Sequence, residues 1–280
     1  MKIGINTFLW SLEFGPEQVR LLPAIREAGF DGIEVACFDP DRFQAALLRE
    51  ATAGEGLEST TVTVVPRGMS LIDDDASVRQ RTVEHFLRLI DAVAKSGSRL
   101  FAGPFYAPVG HLPGRRRTEQ EWAHAIESYQ VLAPHAAAQG VTLAIEPLNR
   151  FETYFLNTAR DAARLAAAVN HPGLGILFDT FHANIEEKDI AAGYETVGPW
   201  LRHVHACEND RGTPGSGHVE WPAVFAALRR IGYDGWLTIE SFGFALPELS
   251  AAAAIWRDIE PSPDCIAFDG IRYLRQHFPR

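Results

Sequence analysis

Four apolar runs in this chain each end on a residue able to bind a proton or a cation. Val141–Ile145 leads into Glu146, Gly173–Phe178 into Asp179, Leu201–Val204 into His205, and Trp236–Ile239 into Glu240. Runs of this length and composition have the character of strands buried on both faces. Pro147 bars any inner ladder from continuing past Glu146. A lone carboxylate at the mouth of a buried strand is often a helix cap or half of an ion pair, because isolating it from water costs several kcal/mol. Four such ends separated by 33, 26 and 35 positions, each about one strand–helix unit, point instead to a site. Three converging carboxylates repel one another and raise their pKa values unless a cation neutralises them. Arg150 and Arg211 lie near enough in sequence to compensate in part, but no Lys or Arg stands on the strand ends themselves. One divalent metal held by Glu146, Asp179, His205 and Glu240 is the simpler expectation. Three carboxylates and one imidazole suit Mn²⁺, Mg²⁺ or Co²⁺ better than a structural Zn²⁺.

The rest of the chain is organised to bring these ends together. Strand-like runs at Lys2–Thr7, Asp31–Cys37, Leu57–Val65 and Arg99–Phe105 precede the four already named. Helical patterns fall between them at Pro16–Ala28, Pro40–Ala53, Ser77–Lys95, Thr118–Gln139, Thr158–Val169, around Lys188–Val197, and at Pro222–Ile231. Thr118 and Glu121 form a capping-box pattern, and Gly29, Gly54 and Gly232 stand where helices should stop. From Pro247 the chain reads as helical or irregular to its end. Eight alternations of strand and helix predict one α/β domain over 1–280, an eightfold β/α barrel whose strand C-termini share one face. The four residues then converge on that face.

The bulk properties narrow the function. A net charge of −10 with no sustained basic stripe argues against nucleic acid or an anionic membrane as partner. No apolar run approaches a membrane span. The N-terminus enters a strand directly, without a leader pattern, and three widely spaced cysteines read as free thiols. A soluble cytoplasmic protein is expected.

Several other residues carry weaker signals. His203 lies two positions before His205 and faces the same way, one layer deeper, as a hydrogen-bonded barrel-filling residue. His182, Glu152 and Arg211 sit in loops above the site, where substrate binding competes with capping and solvated charge. The glycine-rich Gly212–Gly217 and the Arg115–Arg117 run are weak candidates for phosphate recognition. Phe8, Trp10, Phe105, Tyr106 and His111 are candidate walls for the far end of a substrate.

The segments Glu146-Pro-Leu-Asn-Arg-Phe-Glu152, Phe178-Asp179-Thr-Phe-His182-Ala-Asn-Ile-Glu-Glu187, His203-Val-His205 with Arg211, and Pro214-Gly-Ser-Gly217 before Trp221 resemble the ketose 3-epimerases of the D-tagatose/D-allulose type. These belong to the xylose-isomerase-like TIM barrels. The resemblance runs in order through 141–242, while the first half shares the strand–helix rhythm and Asp31-Gly-Ile-Glu34. It implies that Glu146, Asp179, His205 and Glu240 bind one Mn²⁺ or Co²⁺, and that Glu152, His182 and Arg211 hold a ketose near O1–O3. It further implies that Glu146 and Glu240 exchange the C3 proton, each serving as ligand and base, and that the protein is a homo-oligomer, dimer or tetramer.

Three rival readings keep the barrel. Aldose–ketose or hydroxypyruvate isomerisation, or inosose dehydration, would use the same metal with a different proton path. A DNA-repair endonuclease would need more histidines at the early strand ends and a basic face, which this chain lacks. A sugar-binding barrel without catalysis gives no reason for two opposed carboxylate bases.

Overall fold

The computed structural model describes residues 1–243 and 246–279. In chain order its elements are β1 (Lys2–Asn6), α1 (Pro16–Val19), α2 (Leu22–Ala28), β2 (Gly32–Ala36), α3 (Ala45–Glu55), β3 (Glu58–Val62), α4 (Ala76–Lys95), β4 (Leu100–Gly103) and α5 (Glu119–Ala138). Then come β5 (Thr142–Ile145), α6 (Ala159–Val169), β6 (Leu174–Asp179), α7 (Thr180–Glu186), α8 (Ile190–Val197), β7 (Leu201–His205), α9 (Trp221–Arg230), β8 (Trp236–Ile239), α10 (Pro247–Ala252) and α11 (Pro263–His277). The strands pair in parallel, each with its neighbour in sequence, and β8 closes on β1 through Ile3↔Leu237 and Ile5↔Ile239. The fold is the expected eight-stranded barrel.

Strand alternation divides the side chains between two environments. Ile3, Ile5, Ile33, Val35, Phe101, Leu143, Ile145, Ile176, Val204, Leu237 and Ile239 point outward and pack with Ile25, Leu48, Phe86, Leu132, Leu165, Val224 and Ile271 of the helices. The opposite parity fills the lumen with a polar layer: Asn6, Glu34, Thr60, His203, His205 and Thr238, all buried. Burial of this kind requires partners for polar atoms, and the way these atoms are satisfied, or left unsatisfied, defines the site.

Helix starts follow the sequence signals. Thr118 and Glu121 form the capping box of α5, Asp75 accepts from Ser77 N at α4, and Thr158 accepts from Asp161 N at α6. Gly29 and Gly56 end α2 and α3 in the left-handed region at φ 100° and 65°, where a Cβ is costly. Three elements depart from expectation. The predicted helix over Pro16–Ala28 is broken between Val19 and Leu22, because Pro23 belongs to the first turn of a new helix. The helix predicted from Pro40 begins only at Ala45. A helix absent from the sequence reading, α7, starts directly after β6 because Asp179 caps it through Phe181 N. Among the described residues no helix is long and apolar enough to cross a membrane.

Candidate active site

Glu146, Asp179, His205 and Glu240 do converge. Each is buried, and one ligand atom from each lies within 4.8 Å of the others at the C-terminal mouth of the barrel. Asp179 divides its carboxylate between two tasks. Oδ1 accepts from Phe181 N at 2.7 Å, while Oδ2 accepts from Arg211 Nη1 at 2.8 Å. His205 donates through Nε2 to Glu34 Oε1 at 2.8 Å. That leaves Nδ1 facing the cluster, 3.9 Å from Glu146 Oε1 and 3.3 Å from Glu240 Oε2 without the alignment of a hydrogen bond. Glu146 Oε1 and His205 Nδ1 are both buried without a hydrogen-bond partner.

Two unpartnered buried polar atoms facing a cluster of three carboxylates fit a bound cation, which would satisfy both. Oxygen-rich donors with one imidazole suit a hard divalent ion, so these four residues could hold one.

Charge compensation comes from Arg211 and not from Arg150, which pairs with Glu186 on the surface. Arg211 Nη1 bridges Asp179 Oδ2 and Glu240 Oε2 at 2.8 and 3.1 Å. Its guanidinium lies between the Phe181 and Phe242 rings, 4.0 and 4.7 Å from their centroids, a desolvated cation–π arrangement. The Arg211 backbone sits at φ 67°, in the left-handed region that non-glycine residues seldom occupy. Its N–H donates to Glu208 O and its carbonyl accepts from Phe242 N.

The electrostatics split the two glutamates. Burial, reinforced by the charge of Glu240, pushes Glu146 well above the ordinary carboxylate range. At Glu240 the upward push of burial is outweighed by His205 and Arg211, which hold it below that range. Burial also raises Asp179, with Arg211 and His205 opposing only in part. Burial works to lower His205, yet Glu240 and Glu34 raise it well above a free imidazole. For His182, burial and the neighbouring Arg211 and His205 all favour the neutral ring.

His182 and Glu152 stand beside the cluster, as expected. His182 Nδ1 faces the Asn149 N–H at 3.1 Å, and its Nε2 faces Arg211 Nη2 at 3.1 Å and lies 3.7 Å from Glu146 Oε1. Asn149 Nδ2 donates to Glu152 Oε1 at 2.8 Å, so one residue orients both groups. A cavity of about 220 Å³ opens above, with Glu146, Glu152, His182, Arg211 and Glu240 at its base. Its walls are apolar and include Phe8, Leu12, Phe38, Val64, Val109, Leu148, Phe242 and Leu249.

Of the expected wall residues only Phe8 lines this cavity. Phe105 and Tyr106 are fully buried against Phe101 and Phe155, His111 packs near Tyr154, and Trp10 donates to Asp264. The reason is local. Gly103 takes φ +139° with the position of a Cβ 2.1 Å from Thr63 O, and after this turn Pro104 lines the cavity while Phe105 and Tyr106 turn into the core.

The phosphate candidates also find other roles. The buried Glu208 carboxylate accepts from the N–H groups of Asn209, Gly215 and Val219 and from Trp221 Nε1, so the glycine-rich loop wraps a side chain of the protein itself. Arg115 pairs with Glu121, and Arg117 with Asp161. His203 fills the barrel as expected, donating to Glu34 Oε2 at 2.7 Å. Glu34 itself was not singled out from the sequence. Its signals are its place in Asp31-Gly-Ile-Glu34 and a carboxylate in the middle of the apolar β2 run, where no surface is available to it.

A closed parallel barrel with a carboxylate–histidine cluster at its C-terminal mouth matches the model of the xylose-isomerase-like TIM barrel over residues 22–277, and the chain belongs to that family. A probable ketose 3-epimerase from a Synechocystis species is 37% identical over 278 residues, covering 99% of this chain and 97% of the relative. A ketose 3-epimerase from Arthrobacter globiformis is 34% identical, covering 92% of this chain and 90% of the relative. The crystal structure of a Methylomonas D-allulose 3-epimerase in complex with D-allulose superposes with a TM-score of 0.92 at 28% identity, covering 99% and 97% of the two chains. Within the family the chain's place is among the ketose 3-epimerases, enzymes of the isomerase class.

Proposed function

We propose that this protein is a metal-dependent ketose 3-epimerase that inverts C3 of a free ketohexose or ketopentose by two-glutamate proton exchange. The observation that carries the reading is the pairing of Glu146 and Glu240, contributed by β5 and β8, around one cluster with Asp179 and His205. These four residues would hold the divalent ion, Mn²⁺ first and Co²⁺ or Mg²⁺ as alternatives. When bound, such an ion supplies Lewis-acid stabilisation to the negative charge that develops on the substrate oxygens.

The protein's own groups move the proton. One glutamate, as carboxylate, removes the C3 proton, and the electron pair of the broken C–H bond shifts toward the C2 carbonyl to form an enediolate. The other glutamate, as carboxylic acid, returns a proton to the opposite face of C3. The metal-free site already sets the two carboxyls apart, burial raising Glu146 while His205 and Arg211 lower Glu240. His182 and Arg211 hold the substrate oxygens near O1–O3, and Glu152 accepts from a hydroxyl. The apolar walls exclude water from the enediolate.

The occupied glycine-rich loop and the uncharged distal wall support an unphosphorylated sugar. The free cysteines Cys37, Cys207 and Cys265 support a reducing compartment such as the cytoplasm. A homo-oligomer, dimer or tetramer, follows from the family resemblance alone, and size-exclusion chromatography checks it.

The deciding experiment incubates Mn²⁺-loaded protein in D₂O with D-fructose, D-tagatose and D-allulose and locates deuterium by NMR in the separated sugars. Deuterium at C3 with the C3 epimer is expected. Deuterium at C1 with aldose formation would make the protein an aldose–ketose isomerase, and no exchange with any ketose would overturn the reading.

A further inference from the structure

Glu34 lies in the middle of β2, fully buried, and touches none of the groups that would contact substrate. Its four near neighbours all donate to it. Asn6 Nδ2 and His205 Nε2 share Oε1 at 3.0 and 2.8 Å, while Thr60 Oγ1 and His203 Nε2 share Oε2 at 2.9 and 2.7 Å. A carboxylate offers about four acceptor positions, and here each is taken. The residue is therefore an anion held by neighbours on three strands, β1, β3 and β7.

Glu34, His203 and His205 also lie close enough together to hold a metal ion. The hydrogen bonds argue against that use. Both imidazoles approach the carboxylate at hydrogen-bond lengths through Nε2, and Asn6 and Thr60 occupy the remaining lone pairs. A cation at this point would have to displace all four donors.

We propose that Glu34 is a positioning residue for the metal centre. It fixes the His205 proton on Nε2 and thereby commits Nδ1, the buried nitrogen without a partner, to the cluster with Glu146, Asp179 and Glu240. An imidazole has two chemically similar nitrogens, and which one ligates is set by the hydrogen bond the other makes. Among the described residues no other group hydrogen-bonds His205 Nε2. Asn6 and Thr60 hold the carboxylate still, and His203 occupies the second oxygen, so Glu34 cannot rotate away. The inference rests on the metal reading of the cluster.

The test is Mn²⁺ titration calorimetry of the wild type and of Glu34→Gln, with thermal melts of both metal-free proteins. The amide that replaces the carboxylate is neutral and offers an acceptor to only one of the two rings. Wild type should bind one Mn²⁺ per chain, and Glu34→Gln should bind it about 10–100-fold more weakly. The loss should exceed anything the melts of the metal-free proteins explain. Wild-type affinity in the folded variant would overturn the proposal. So would two ions in the wild type with one lost in the variant, which would make Glu34 a ligand. A wild type that binds no Mn²⁺ would instead overturn the metal reading, and this proposal with it. Should Glu34→Gln fail to fold, ¹⁵N-histidine spectra of the wild type loaded with diamagnetic Zn²⁺ decide the matter. A proton on His205 Nε2 is expected, and one on Nδ1 would overturn the assignment.

Discussion

Arg211 Nη1 lies 2.8 Å from Asp179 Oδ2, so a buried guanidinium rests against a carboxylate that also faces the candidate metal position. The same nitrogen reaches Glu240 Oε2 at 3.1 Å. In the metal-free protein Arg211 is thus the cation that answers the converging carboxylates. Removing one partner of a buried charged pair leaves the other exposed to the full desolvation cost. Arg211→Met should destabilise the metal-free protein by about 3–5 kcal/mol. Urea melts measure this, and saturating Mn²⁺ should shrink the difference between variant and wild type by neutralising the same carboxylates.

Replacing either proposed acid–base residue should stop turnover while sparing sugar binding. Glu146→Gln and Glu240→Gln should each lower kcat by about 10²–10⁴. Ketose binding, followed calorimetrically at Mn²⁺ concentrations high enough to load each variant, should change far less. Equal losses of binding and turnover would count against the exchange mechanism.

Metal removal should be reversible in both activity and stability. Chelation should abolish C3 exchange and lower the melting temperature, and Mn²⁺ at 100 times its Kd should restore about 2.7 kcal/mol of stability. Parallel recovery of the two signals on titration is the expected result.

The acid limb of stability should carry a signature of Glu121. Burial raises its carboxyl, but Arg115, the Thr118 N–H and Tyr154 together hold it down to about 2 from an ordinary 4.5. A depressed folded-state value means that the stabilisation is fully present above about pH 4.5. It is lost as pH falls toward 2. Denaturation midpoints of Glu121→Gln should therefore be lower than wild type at pH 6 and should converge with it as the pH approaches 2.

The barrel was legible in the sequence because its strands are short, largely buried runs with apolar outward faces and its helices carry capping and glycine stop signals. The four cluster residues were legible for the same reason: each interrupts such a run at its mouth. Glu34 was harder to place, since it interrupts a run in the middle and its partners Asn6, Thr60, His203 and His205 are joined only by barrel closure. The cavity walls were the least legible part. Four of five candidates failed, because the turn at Gly103 decides which of Pro104, Phe105 and Tyr106 faces the mouth, and Phe38, Val64 and Phe242 come from loops with no periodicity. Helix α7 was missed because its cap is itself a cluster residue, and a carboxylate read as a candidate ligand was not also read as the start of a helix.

That double use of Asp179 has a consequence for how the chain can vary. The residue ends β6 and opens α7, and His182 stands three positions later in the first turn. Each residue inserted into a helix rotates the side chains beyond it by about 100°, so one insertion between them would swing the imidazole away from the mouth. Relatives that share this chemistry should therefore keep that spacing free of insertions and deletions. Diversification in sugar preference should instead accumulate as length changes in the loops after β1 to β4, which give Phe8, Leu12, Phe38, Val64 and Val109 to the apolar wall and bear no cluster residue.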